Sequence, residues 1–256
     1  MALQTTDNYL TRPAIETMEC IKTYVYSLER YGTSPYLYPV YGLGGLPEGF
    51  SRLCAIHGGT FMLAQPVDEL LFNDEGVAWG IRCGNQMAKA RLIIGEPSYF
   101  PPEKCIATTQ VVRSICFLSA PVPNTNEAES CQIIIPGRQV NRENDIYVCC
   151  VSNSHQVCPR GLFIAIVSTT VETEDPIAEV QPGIDLLGPV VERFDAVAQC
   201  YAPQDNGEAD RCFISKSLNA ESHFQDLSAD VLSLYERVTG EQLDMTINAD
   251  TTEEEY

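Results

Sequence analysis

The stretch Gly42-Leu43-Gly44-Gly45-Leu46-Pro47-Glu48-Gly49 is the first place along the chain where residue types could do chemistry, because glycine-rich loops can cradle phosphates. Dinucleotide binding needs G-x-G-x-x-G directly after a buried strand. Here Pro47 stands where the third glycine belongs, and prolines and tyrosines precede the stretch. A P-loop would continue past Gly49 with lysine and a hydroxyl residue, but Phe50-Ser51 follow. The glycines are read as serving tight turns and close packing. The three histidines, at positions 57, 155 and 223, are scattered, and none has a second histidine at helical spacing. His155-x-x-Cys158 has a spacing a metal could use, without a second ligand pair to complete it. His57 falls near an expected helix end, where capping or packing suits it better than catalysis. No G-x-S-x-G elbow offers a nucleophile. Glu16, Glu19 and Glu29 read as a solvated helix face. The expectation is a binding protein with no catalytic, cofactor or metal site.

Composition narrows what could be bound. The 16 basic residues stand against 35 acidic ones, a formal charge of −19 over 256 residues. Nucleic-acid binding needs a concentrated basic face, which this balance does not supply. The same charge opposes electrostatic docking on an anionic membrane surface. No run approaches the roughly 18 apolar residues of a membrane span, and the first residues lack the basic and apolar blocks of a signal peptide. The eleven cysteines are odd in number and irregular in spacing, and none form C-x-x-C pairs. Several lie in apolar runs such as Ser114-Ile115-Cys116-Phe117-Leu118, so they are expected to be reduced core thiols of a cytosolic protein. Thiol counting should then find all eleven free.

The elements that would position these residues follow from periodicity. Pro13 suits a first helical turn, and Ile15, Met18, Ile21, Val25 and Leu28 follow at helical spacing, with a stop at Tyr31-Gly32. The segment 33–39 is extended, since each proline pushes its predecessor away from helix. A short helix is expected at 50–57, with Leu53, Cys54 and Ile56 able to face a core, ended by Gly58-Gly59. From Thr60 the pattern becomes that of strands, at 61–63, 69–72, 77–81, 91–94, 111–119, 131–135, 146–151, 163–170 and 212–215. The polar loop 136–145 joins two antiparallel partners. Helices are expected at 189–201 and at 228–239, the latter capped by Ser228 with Asp230 in its first turn. The acidic end 251–256 has nothing to bury. These elements make an α/β (α+β) body with a mixed or antiparallel sheet and flanking helices.

Residues 30–63, RYGTSPYLYPVYGLGGLPEGFSRLCAIHGGTFML, resemble a signature segment of the Rab GDP-dissociation inhibitors. The resemblance continues through Ser130-Cys131-Gln132-Ile133-Ile134-Ile135-Pro136, Gln139-Val140-Asn141-Arg142, Asp145-Ile146-Tyr147-Val148-Cys149 and Ser168-Thr169-Thr170-Val171-Glu172-Thr173, and covers most of the chain. Rab escort proteins share the 34–50 framework but usually differ around Thr60 and Met62. The resemblance implies a Rossmann-like domain related to FAD/NAD(P)-binding proteins, into which a helical, prenyl-binding domain is inserted. Residues 1–32 would be the last helix of that helical domain, 33–245 the remainder of the Rab-binding domain, and 246–256 a disordered tail. Met1 would then sit at an internal position of a longer protein.

The resemblance also implies roles. Arg30, Ser34 and Tyr36 match the family's mobile effector loop, and Arg52, Thr60 and Met62 match part of its Rab-binding platform. Gly45 stands where the family carries an acidic residue, which removes one polar contact. The residues themselves allow blander roles: a surface salt bridge for Arg52, a core position for Met62. The expected partners are prenylated, GDP-bound Rab GTPases, with transient membrane contact during Rab retrieval and no cofactor. The alternatives are an escort protein that presents Rab to a geranylgeranyl transferase, and the substrate half of a flavin-dependent oxidoreductase.

Overall fold

The computed structural model describes residues 7–31, 34, 36–221 and 224–246. In chain order the elements are α1 (Ala14–Tyr31), α2 (Gly45–Ile56), β1 (Glu69–Phe72), β2 (Ala78–Cys83), β3 (Gln86–Lys89), β4 (Ile93–Gly95), β5 (Cys105–Leu118), β6 (Cys131–Ile135), β7 (Ile146–Ser152), β8 (Phe163–Thr170), α3 (Pro176–Glu179), α4 (Gln181–Ile184), β9 (Val190–Pro203), β10 (Cys212–Ile214) and α5 (Gln225–Thr239). They fall into two compact units. The first comprises Met1–Phe61, Thr109–Gln199 and Asn219–His223, the second Met62–Thr108, Cys200–Leu218 and Phe224–Tyr256.

The first unit is built on a five-stranded sheet in the order β6-β7-β8-β5-β9. The β6–β7, β7–β8 and β8–β5 pairs are antiparallel, with Ile133 opposite Val148, Val148 opposite Val167, and Cys116 opposite Ala165. Because strand side chains alternate, Ile146, Val148 and Cys150 share a face with Phe163, Ala165 and Val167 and with Val112, Cys116 and Leu118. Val180, Ile184 and Leu187, from and just beyond the two short helices, close over that face. The helices can approach so near because of Gly183. A Cβ there would lie 2.5 Å from Val167 Cγ1 and 3.2 Å from Ile146 Cγ2 and Val148 Cγ2. Gly183→Ala is therefore expected to cost about 1–3 kcal/mol by overpacking. In urea it should lower the midpoint of unfolding with an unchanged slope.

One buried ionic clasp holds the loop after β6 to the end of β8. Arg142 Nη2 donates to Thr170 O at 2.8 Å and pairs with Glu179 Oε2 at 2.6 Å and Glu172 Oε1 at 3.3 Å. The Arg142 and Glu179 side chains are 9% and 3% exposed. Glu179 also accepts from Glu172 N at 3.0 Å and from Thr173 N and Oγ1, each at 2.6 Å. Glu172 accepts from Asn144 N at 2.7 Å and Nδ2 at 2.9 Å. Burial alone would raise both acids. The hydrogen bonds and the guanidinium outweigh it, holding both carboxyls below the usual range.

The second unit holds an antiparallel sheet β1-β2-β3 and a parallel pair β10-β4. Its core packs Ala78, Phe100, Cys212 and Ile214 with Leu70, Phe72, Ile93 and Cys105. Helix α5 is tied to this core by Arg237 Nη2 donating to Ile214 O at 3.0 Å, and by Lys216 N donating to Asp230 Oδ2 at 3.0 Å.

Several expectations need correction. The span 189–201 expected as a helix falls almost wholly in strand β9, Val190–Pro203. Val191, Phe194, Val197 and Tyr201 have helical spacing but stay exposed, so burial does not favour a helix, and the edge beside β5 supplies a ladder instead. Residues 61–63 form no strand. Helix α5 begins at Gln225 with Phe224 as its N-cap; Ser228 lies inside it, its N–H donating to Phe224 O at 2.9 Å, and so caps nothing. Helix α2 begins at Gly45, five residues early. Gly44 is its N-cap and Pro47 falls in its first turn, where a missing N–H costs nothing. No residue of α2 is buried, so Leu53, Cys54 and Ile56 do not face a core among the described residues. No helix among those residues is long and apolar enough to cross a membrane.

Candidate protein-interaction surface

The segment from Tyr36 to Thr60 lies in the first unit and is fastened at the 3-10 turn Asn153–His155 that follows β7. The Tyr38 ring meets the His155 ring edge-on, with centroids 5.3 Å apart. Tyr41 N donates to His155 O at 2.8 Å. His155 Nδ1 is itself within 3.2 Å of Ser154 Oγ, while Cys158 Sγ donates to Leu162 O at 3.0 Å. His155 and Cys158 thus have separate partners, and His155 acts as a strut for the segment. Burial pushes the phenols of Tyr36 and Tyr38 up, helped by Tyr24 and Cys149 respectively.

Past the strut the chain turns sharply. Tyr41 has φ +71° and Gly42 φ +93°, and Gly42 N donates to Pro39 O at 3.1 Å. A left-handed tyrosine costs about 1–2 kcal/mol, and its N–H bond to His155 holds it there. The turn leaves the Tyr41 side chain 78% exposed. It also launches α2, whose Leu46, Phe50, Leu53 and Ile56 form an apolar stripe in solvent, Phe50 being 71% exposed. Arg52, four residues before Ile56 and seven after Gly45, borders that stripe. The helix ends in a Schellman motif: Gly58, at φ +88°, donates to Ala55 O at 3.0 Å, and Gly59 N to Cys54 O at 2.9 Å. A Cβ on Gly59 would sit 2.9 Å from that same Cys54 oxygen, so only glycine lets the chain fold back and deliver Thr60.

Arg52 is exposed and has no hydrogen bond or ion pair among the described residues. Thr60 is exposed. Met62, the first residue of the second unit, is 63% exposed and lies in no strand, so the core reading fails for it. Ser34 is exposed, its Oγ accepting from Tyr36 N at 3.2 Å, and Tyr36 is half-buried. Arg30 lies in the last turn of α1, and its side chain is outside the described residues, as is His223. Gly45 is the first residue of α2. The sequence reading did not single out Tyr41, Phe50 or His155 for this surface. An aromatic residue before Gly42 and a phenylalanine three residues after Pro47 were the available signals, but neither specifies exposure.

A surface of this kind, with aromatics, an apolar stripe and a free guanidinium, suits a folded protein partner better than a small molecule. The family model described as GDP dissociation inhibitor matches residues 1–250. Among curated relatives, the "Probable secretory pathway GDP dissociation inhibitor 1" of Schizosaccharomyces pombe is 54% identical over 243 residues, 95% of this chain and 55% of that protein. The "Rab GDP-dissociation inhibitor" of Saccharomyces cerevisiae is 49% identical over 95% of this chain and 54% of its own length. The chain therefore spans about half the length of these relatives. In structure it is similar to the Rab GDI of Plasmodium falciparum, at a TM-score of 0.90 and 43% identity, over 95% of this chain and 55% of that one. A tryptophan halogenase of Shewanella frigidimarina shares the fold alone, at a TM-score of 0.50 and 9% identity over 78% of this chain and 40% of that one.

Proposed function

The chain belongs to the GDP dissociation inhibitor family, and on that premise we propose that it carries the face with which such an inhibitor grips the body of a GDP-bound Rab GTPase. The observation that carries this reading is Arg52, exposed and unpaired among the described residues, beside an exposed apolar stripe. An arginine fork offers directional donors to a carboxylate or carbonyl of the partner, Thr60 a hydroxyl, and Met62 adaptable apolar contact. None of the three needs to leave an internal partner to bind. Arg30, Ser34 and Tyr36 are assigned to the effector loop that meets the membrane while prenylated Rab is retrieved. Residues 1–32 are assigned to the end of the helical domain. The protein so described works in the cytosol, with transient visits to membranes, in vesicle traffic.

The test is a titration of the chain with unprenylated Rab loaded with GDP or with a non-hydrolysable GTP analogue, read by calorimetry and by GDP release. Tighter binding to the GDP form and slower release are expected. Equal affinity for both nucleotide states, or no binding to either, would refute the assignment. Binding that delivers Rab to a prenyl transferase without slowing GDP release would favour the escort reading.

A further inference from the structure

Independently of any partner, one pair of cysteines is placed as few pairs in a reduced protein are. In the antiparallel β6–β7 ladder Cys131 stands directly opposite Cys150. Residues opposite each other in such a ladder have Cα atoms about 4.5–5.5 Å apart, within the roughly 4.4–6.8 Å that a disulfide spans. Both side chains lie on the sheet face that carries the main core, Cys150 fully inside it and Cys131 packed against it while still partly open to solvent.

We propose that Cys131 and Cys150 form an oxidation site, a dithiol that a peroxide converts to a disulfide stapling edge strand β6 to β7. Cys131 is the reachable partner. Interaction with the Cys150 thiol lowers its own, although burial opposes this, while the same interaction and then burial push the Cys150 thiol up. The Cys131 thiolate attacks one peroxide oxygen, the O–O bond breaks, and the departing hydroxide takes up the proton the thiol had released and leaves as water, with Cys131 carried to a sulfenic acid. Cys150 then attacks the Cys131 sulfur, the S–O bond breaks, and its proton departs with the hydroxide as a second water. Two thiols are oxidised by one peroxide, which is reduced to two waters.

Neither Cys149 nor Cys116 competes. Cys149 pairs in register with Gln132, so its side chain points to the opposite face of the sheet. Cys116 shares the correct face but is separated from Cys150 by Ala165 on β8, two strand spacings or about 9–10 Å away. The bridge would close a loop of about 20 residues, long enough for a sizeable entropic stabilisation of the fold.

The site is tested by treating the folded chain with hydrogen peroxide, followed by denaturation without reductant, alkylation, digestion and mass spectrometry. Before oxidation all eleven thiols should alkylate. Afterwards nine should, with one linked peptide pair joining Cys131 to Cys150 and a higher melting temperature. Cys149→Ser should keep the bridge. Cys150→Ser should leave Cys131 as a sulfenic acid that dimedone traps. Any of three results overturns the proposal: continued alkylation of both cysteines, pairing of Cys150 with a different cysteine, or passage of wild-type Cys131 beyond sulfenic acid without pairing. Because the wild-type peptide map decides the matter, a variant that fails to fold would not rescue it.

Discussion

Arg142→Ala should destabilise the first unit by about 3–5 kcal/mol, the usual consequence of removing one partner from a buried ion pair. Glu179, 3% exposed, would keep its hydrogen bonds from Thr173 and Glu172 but lose its only cationic partner among the described residues. The Thr170 carbonyl would lose its donor as well. The pH dependence distinguishes this from simple loss of packing. In the wild-type chain both carboxyls titrate below their ordinary range when folded. Their contribution is therefore complete above the unfolded carboxylate pKa, about 4.3, and is lost as pH falls through the depressed folded values. In Arg142→Ala, burial is opposed by fewer groups, so the folded pKa of Glu179 moves up. A less depressed folded value leaves a smaller pH-linked contribution to lose as pH falls. The destabilisation should therefore be largest near neutrality and shrink towards acid. Urea titrations at several pH values measure this directly, and a penalty independent of pH would show that Arg142 acts mainly by filling space.

Arg52→Ala should do the reverse, sparing the fold and damaging recognition. The side chain has no partner among the described residues, so the melting behaviour should stay within about 0.5 kcal/mol of wild type. If its guanidinium is buried against the partner, losing it costs about 2–5 kcal/mol, at least thirtyfold in affinity; at a rim the loss is smaller. Prenylated and unprenylated GDP-bound Rab should suffer alike, because the contact is with the folded body. Substitution of Arg30 or Tyr36 should instead slow retrieval from membranes and leave affinity for soluble Rab nearly unchanged. Tyr36 is half-buried, so its variant must first be shown to melt normally. Retained affinity in Arg52→Ala, or equal loss of soluble binding in the loop variants, would end this division of labour.

Elements whose own residues carry a complete signal were legible in the chain. Expected strands 131–135 and 163–170 coincide with β6 and β8, because each is a short apolar, β-branched run. The loop 136–145 joins antiparallel partners as anticipated. Strand β9 was misread because three- and four-residue spacing of apolar groups signals a helix only if that face becomes buried, and here it does not. The start of α2 was missed because glycines and a proline argue locally against helix, although a first turn tolerates both. For the candidate surface, Arg52, Thr60 and Met62 were reachable only through family resemblance. Residue type left a salt bridge open for Arg52 and a core position for Met62, and the exposure of Met62 speaks only to the second.

The sequence by itself determined the membership, the mixed class of the fold and the absence of a local nucleotide fingerprint, since all three are written in contiguous residues. Tertiary structure alone decided what lies between distant segments. It set His155 under Tyr38 and Tyr41, Arg142 against Glu179, and Cys131 across from Cys150. It also left the apolar stripe of α2 in solvent. The reason is physical: helical period and turn chemistry are properties of neighbours along the chain, whereas burial, ion pairing and strand register depend on which surfaces meet after the backbone has folded.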